Sequence, residues 1–477
     1  MTYRATRLSS SRGCLPTLTA LALTALLASC TSFSPDGGLA VAEQQAKERL
    51  GKDLRWARTE QDRQAIEQRV AELLGKPLSA DDAVQIALLN NRGLQADFFE
   101  LGITEAEVVQ AGRLPNPGIT IARLRRGDEI ELERGVHFNL ARLLVMPLVQ
   151  QVEARRFEQA RQVAAIKVLT LGTDTRKAWI NAVAGDETVR FTRKVMQAAE
   201  ASAELARRME QVGNFSKLQR AREQAFYADA AVNLARAEQL QRANRERLTR
   251  LLGLWGEQAR FTLPQRLPDL PVRADELPDV ERIAITQRLD VQGAKLMAEQ
   301  TARNLGLTRA TRFINVLEVG AVSNSSNEVA TQRGWEVGVE LPMFDWGDAR
   351  VARSEAVYMQ AVNRAAETAI NARSEVREAY GSYHSSYDIA RHHRDEILPV
   401  HQRIADENML RYNGMLIGVF ELLADARAQV VVANNYIDAV RNFWLARADL
   451  DMALVGKPSL STPSGPATSA ESGAAGH

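Results

Sequence analysis

Residues 334–341 alternate strictly. Trp335, Val337, Val339 and Leu341 point one way and Glu336, Gly338 and Glu340 the other. That period of two predicts a strand with one apolar face and one wet face. Pro342, which cannot donate to a ladder, ends it. After Asp345-Trp346-Gly347-Asp348 the period becomes helical and holds for dozens of residues. A related passage stands about 195 residues earlier, which makes an internal repeat. There Gly135 to Ala141 leads through Met146-Pro147 into another very long helix. Pro147 and Pro342 therefore mark two expected strand-to-helix junctions.

The intervening elements follow from spacing and punctuation. Residues 39–74 are helical in type, and Gly75-Lys76-Pro77 closes a pre-domain over 30–77. Ser79, with Asp82 three residues on, predicts a helix start. The helix runs to 111, where Gly112 and Leu114-Pro115-Asn116-Pro117 forbid continuation. Strands are expected at 119–124 and 136–144 around a charged connector at 125–134, giving a β-hairpin over 118–145. From 148 to 211 no proline interrupts about 64 residues, roughly 95 Å of helix. Val212-Gly213-Asn214 turns the chain into a return helix, so 148–252 reads as a helical hairpin. This completes a first repeat over 78–262, and Pro-rich 263–278 reads as a linker.

A second repeat over 279–456 states the plan again. It has a helix, a β-hairpin over 312–341 (strands 313–322 and 335–341 about a polar loop) and a helical hairpin over 348–454. The turn of that last hairpin is Tyr412-Asn413-Gly414. Residues 457–477, rich in Ser, Pro, Ala and Gly, read as a disordered tail. The expected fold class is mainly α with a small β part, four strands to a chain.

Composition narrows the function. The chain carries 60 basic and 59 acidic residues, so no global field recruits nucleic acid. Aromatics are 6%, and Ala, Gln, Arg, Glu and Leu dominate, as in long helices and coiled coils. Four strands cannot close a membrane barrel alone, since the smallest has eight. Left open in lipid, they would expose unpaired edges at several kcal/mol per group. Three copies would supply twelve strands and room for a pore, and their helices would pack side by side into a hollow cylinder.

The N-terminus reads as an export signal over 1–29. Arg4, Arg7 and Arg12 precede an apolar run at 15–27 that is too short to span a membrane. Leu27-Ala28-Ser29-Cys30 resembles the bacterial lipoprotein box, which implies that Cys30 becomes a lipidated, palmitate-bearing first residue. Thr31 where an aspartate would signal retention favours the outer membrane. Cys14 and Cys30 are the only cysteines, so no disulfide or Cys-based metal site is expected in the mature body.

Four passages carry a wider resemblance: Leu114-Pro115-Asn116-Pro117, residues 341–347 (LPMFDWG), Tyr412-Asn413-Gly414, and residues 421–427 (ELLADAR). Their order, spacing and duplication resemble the TolC-type outer-membrane factors over about residues 78–456. The resemblance implies a homotrimer with a 12-stranded outer-membrane barrel continued by a periplasmic α-helical tunnel. It implies passive conduction, with a periplasmic adaptor and an inner-membrane pump as partners, and no cofactor or enzyme activity. It places an acidic periplasmic gate at Glu421 and Asp425, one helical turn apart. The first repeat departs from it, with Gln219 and Arg220 where an acid is implied. Gly213, Asn214 and Gly414 match adaptor-docking tips, with a plain glycine helix end as the alternative, while the alternation makes Trp335, Val337, Val339 and Leu341 a lipid-facing strand, Trp335 fitting either a membrane-edge belt or a subunit seam. A solvated helix face is the plain alternative for the two acids.

His384, His392, His393 and His401 lack the i, i+4 spacing of a helical metal site. No HExxH, P-loop, GxGxxG or GxSxG pattern occurs. The rival from another class is a periplasmic coiled-coil lipoprotein scaffold or adaptor without a pore. An adaptor would need a β-rich domain at its helical tip, where this chain has Gly213-Asn214. Lipid-facing strands make a direct prediction. Val337→Lys or Val339→Lys should impair outer-membrane assembly, at about 2–4 kcal/mol per site near the midplane. Glu336→Lys should be tolerated, with the yield of heat-modifiable trimer as the measure.

Overall fold

The computed structural model describes residues 32–311, 317–339 and 343–459. Cys30, Leu341 and Pro342 lie outside the described residues. The helices in chain order are α1 (Ala40–Gln45), α2 (Glu60–Leu74), α3 (Ala80–Asn90), α4 (Arg92–Ala111), α5 (Leu140–Gln211) and α6 (Lys217–Leu252). They continue with α7 (Val280–Gln287), α8 (Leu289–Thr311), α9 (Asp348–His392), α10 (Leu398–Asn413) and α11 (Val419–Ala453). The strands are β1 (Gly118–Arg126), β2 (Glu129–Asn139), β3 (Leu317–Ser326) and β4 (Gln332–Val339). The chain divides into two compact units. Among the described residues, the first takes 32–38 and those within Glu100–Arg161 and Leu296–Val362; the second takes Leu39–Phe99, Gln162–Lys295 and 363–459.

The first unit holds one four-stranded antiparallel sheet in the order β1-β2-β3-β4. The two expected hairpins are thus joined edge to edge, β2 to β3, with Glu131 opposite Ser326 and Asn139 opposite Glu318. The charged stretch expected as a connector is strand. Only Gly127-Asp128 turns, with Gly127 in the left-handed region at φ 62° and Arg126 opposite Glu129. Glu129, Glu131 and Glu133 alternate with Ile130 and Leu132, a period of two that their charge disguised. In the second hairpin, likewise, polar Ser323 to Ser326 and Gln332-Arg333 belong to the strands.

Pro147 does not mark the strand-to-helix junction expected of it. β2 ends at Asn139 and α5 begins at Leu140, so the β-hairpin closes before 145 and the helix starts before 148. The Asn139 side chain caps the helix, accepting the Arg142 N–H at 2.8 Å. Pro147 lies inside α5 and is no junction. It withholds one N–H from the helical ladder.

The second unit is a helical bundle. Its buried core joins Leu78, Ile86 and Leu89 to Trp179 and Val183, Leu248 and Leu252, Val376 and Tyr383, and Phe443 and Leu450. Ser79 caps α3 as expected, its hydroxyl accepting the Asp82 N–H at 3.1 Å. The segment expected as a linker is a packed strap, with Leu267 and Leu270 in the core. Tyr387 donates to Val272 O at 2.7 Å, Trp444 to Pro268 O at 3.0 Å, and Asp275 N–H donates to the Tyr383 hydroxyl at 3.0 Å. Its prolines interrupt any helix, and Leu263, Leu267 and Leu270 recur at four- and three-residue intervals that proline had masked.

Two helices drawn as continuous are broken with the same backbone geometry. Asn91 (φ −67°, ψ 116°) divides α3 from α4, and Arg288 (φ −66°, ψ 125°) divides α7 from α8. Asn91 donates to Leu251 O at 2.9 Å and accepts the Leu94 N–H at 3.0 Å. Arg288, 1% exposed, donates to Asp290 at 2.7 and 3.0 Å and to Glu375 of α9 at 2.7 Å. A buried guanidinium stripped of a partner is costly. Glu375→Ala should therefore destabilise by about 3 kcal/mol in denaturant unfolding. The exposed neighbour Glu378→Ala should stay within about 0.5 kcal/mol.

Candidate functional site: helix tips and a two-faced sheet

The tips of the two helical hairpins, both in the second unit, are built alike. At the first, Gly213 N–H donates to Glu210 O at 3.0 Å and Asn214 N–H to Met209 O at 2.8 Å. At the second, Met415 N–H donates to Tyr412 O at 3.0 Å and Leu416 N–H to Arg411 O at 2.9 Å. Both are Schellman endings, which require one left-handed residue. Gly213 fills that place at φ 79°, and at the second tip Met415 fills it at φ 57°. Gly414 keeps φ −80°, so the equivalent of Gly213 is Met415, one residue past the expected glycine. Between α5 and α6, and between α10 and α11, only short loops stand, with no room for an inserted domain.

The tips are apolar and exposed. Val212 and Leu218 flank the first, and Leu410, Met415 and Leu416 the second, with Met415 93% exposed. Close to the first tip Glu204 accepts hydrogen bonds from Arg207 and Arg208, which hold its carboxyl down to about 2.

Glu421 and Asp425 lie in the first two turns of α11, Glu421 exposed and Asp425 half-buried. Among the described residues neither has an ion-pair partner. The arginine nearest in sequence, Arg427, is taken elsewhere. It pairs with Glu223 of α6, which is 1% exposed and also accepts from Ser202 of α5 at 2.7 Å. Phe226 lies under the Arg427 guanidinium at 4.4 Å. Glu223 is the seventh residue of α6, as Asp425 is of α11. It stands three residues past Arg220, where the first repeat departs from the resemblance, and it is buried. Its signal was position counted from the helix start.

The histidines do not assemble. His392 pairs with Glu396 at 3.2 Å, and burial, with His392 beside it, lowers the pKa of His393. Among the described residues no group of three metal-ligating side chains comes together.

The sheet sorts its residues by face. In register, Ile119, Val136, Ala321 and Trp335 form one row, Phe138, Val319 and Val337 the next, and Leu317 with Val339 a third. All three rows share a face, where Trp335 is 79% exposed, Val339 58% and Val337 48%. The opposite face carries Glu129, Glu131, Glu133, Glu318 and Glu336, with His137 and a run of glycines. There Gly118 and Gly320 make room for the His137 and Glu336 side chains, which a β-carbon would strike at 2.0 and 2.8 Å. No helix among the described residues is long and apolar enough to cross a membrane.

No family model matches the sequence, and no curated protein does. Solved structures do share the fold. A membrane protein from Pseudomonas aeruginosa is 17% identical with a TM-score of 0.68, over 79% of this chain and 92% of that one. The CmeC outer membrane channel of Campylobacter jejuni is 15% identical with a TM-score of 0.67, over 79% and 85%. The open state of the MtrE outer membrane channel of Neisseria gonorrhoeae is 16% identical with a TM-score of 0.65, over 78% and 88%.

The left-handed Met415 gives a test of the tip assignment. Met415→Gly should raise stability by about 0.5–1 kcal/mol, because it removes a β-carbon from αL and gives up almost no packing. Gly213→Ala should lower it by about 1 kcal/mol. Both are read as shifts in the thermal midpoint of the purified protein.

Proposed function

We propose that the chain is one subunit of a passive outer-membrane duct, the exit of a tripartite pump–adaptor–duct efflux or secretion system. The observation that carries this reading is the sheet. It has one apolar, exposed face, one carboxylate-rich face, and an edge strand at each side, β1 and β4. An amphipathic sheet with free edges is stable in lipid only when closed. A homotrimer of four-stranded sheets closes a 12-stranded barrel, with Trp335, Val337 and Val339 toward lipid and the glutamates toward a water-filled lumen. The shared fold with outer membrane channels supports the same architecture. The element order, helix, β-hairpin, long helix, return helix, runs through the chain twice and supports an internal repeat.

In this reading the long helices of three copies form the periplasmic tunnel, and the tips at Gly213-Asn214 and Gly414-Met415-Leu416 dock a periplasmic adaptor. The exposed apolar side chains of both tips suit a helical partner. Glu421 and Asp425 ring the periplasmic gate. The Glu223–Arg427 pair ties the return helix of one hairpin to that of the other, so the tips part only when a desolvated ion pair is broken. Cys30 carries the lipid anchor. The duct supplies no chemistry, and its cargo is set by the inner-membrane pump.

Conductance in planar bilayers tests the duct. Purified trimers should insert and conduct with cations preferred, and Arg427→Ser should raise the open probability by loosening the tie. Glu131→Gln with Glu133→Gln should move the reversal potential toward zero selectivity. Folded trimers that never conduct, with strand residues inaccessible to lipid-borne quenchers, would sink the reading and leave the poreless scaffold.

A further inference from the structure

The strand charges are segregated with one exception. Every glutamate of the four strands lies on the face assigned to the lumen. Of the five strand arginines, Arg126 shares that face, and Arg123, Arg125, Arg134 and Arg333 lie on the other. Cross-strand ion pairing would have mixed the signs on one face. Here the apolar face holds guanidiniums and no carboxylate.

The arginines are also placed by depth. Ile121, Arg134, Ser323 and Arg333 share the row immediately beyond Ile119, Val136, Ala321 and Trp335 on the side of the hairpin turns, so the guanidiniums stand at the end of the apolar band. Arg123 stands one row nearer the turns, and Arg125 one further, where its Nε donates to Gly127 O at 3.0 Å. Rows on one face are about 7 Å apart, and Arg134 and Arg333 stand two strand spacings, about 10 Å, apart. Arg123, Arg134 and Arg333 are exposed, and among the described residues none has an ion-pair partner. An unpaired guanidinium beside an apolar band is misplaced in hydrocarbon but well placed at a layer of phosphates, which it meets with two parallel hydrogen bonds.

We propose that Arg123, Arg134 and Arg333 form a belt that docks the phosphates of an outer-leaflet lipid, whose acyl chains lie along the three apolar rows. This rests on the duct reading, which sends the hairpin turns outward because the helices attach at the opposite ends of the strands. The occupant follows from continuity. Fixed positive charge borders the apolar band on its turn side, and an anionic amphiphile with phosphate at that depth satisfies both. A free anion would use the guanidiniums and leave the rows beneath them bare.

The test uses the full-length protein in neutral detergent and measures its affinity for lipid A, for lipid A with both phosphates removed, and for a zwitterionic phospholipid. Lipid A should bind roughly a hundredfold more tightly than the dephosphorylated form, at about fivefold for each guanidinium near a charged lipid surface. The triple variant R123Q/R134Q/R333Q should lose that difference, and R126Q, on the opposite face, should keep it. Equal binding of the two lipid forms by the unaltered protein, which needs no variant to fold, overturns the belt. So does a triple variant that retains the preference, or full displacement of lipid A by inorganic phosphate. Bilayer conductance of the same preparation separates the two readings: conduction without phosphate preference removes the belt alone, and absence of conduction removes the duct.

Discussion

β1 and β4 each leave one side of their backbone ladder unpaired, and most of the architecture is a response to that. In water such an edge is a hazard of aggregation; in hydrocarbon each unpaired group costs several kcal/mol. In the duct proposed above, the edges of this sheet are matched by those of other copies. In the proposed duct, closure by three copies puts the exposed tryptophan and valines outside and the glutamates inside without altering the register within each sheet. Gly118 and Gly320 leave space for the His137 and Glu336 side chains of the neighbouring strands.

The helical part follows a different economy. Its strongest polar contacts are few and buried: Arg288 between Asp290 and Glu375, Lys177 with Asp449, and Glu223 with Arg427. Such pairs add little net stability but lock one arrangement, since an unpaired partner is penalised heavily. Arg288 locks a helix break and Glu223 the joint between two return helices. Near the tips exposed ion pairs run along single helices, Glu204 with Arg207 and Arg208 and Glu407 with Arg411, while Arg220 of α6 reaches Glu210 of α5 at 2.6 Å. Left-handed Met415, placed where glycine would be easier, fits a surface selected for what it presents.

The mainly helical fold with its small sheet was legible because long proline-free runs and strict alternation leave few alternatives. The errors fall where charge or proline obscured a period. Residues 129–133 alternate faultlessly but read as a connector because every second residue is glutamate. Pro147 read as a boundary although Asn139, eight residues earlier, is the better helix cap. The strap at 263–278 read as a linker because its prolines masked Leu263, Leu267 and Leu270, which recur four and three residues apart. Of the site, Glu421 and Asp425 were visible as acids one turn apart, while Glu223 was not, because burial of a carboxylate depends on an arginine about 200 residues away. The arginine belt needed registers across three strand pairs.

The pairing of β2 with β3 has a consequence for how the protein is made. Ile130 and Asn327, joined by a hydrogen bond across that seam, are 197 positions apart in sequence. The sheet is therefore incomplete until both halves of the chain exist, and its contact order is high although the molecule is mainly helix. While the chain is being made, the first hairpin waits with its apolar face uncovered and its β2 edge free until the rest of the chain arrives. Its density of charge, glutamates on one side and arginines on the other, disfavours pairing with a like strand in that interval, because like charges would meet across the new ladder.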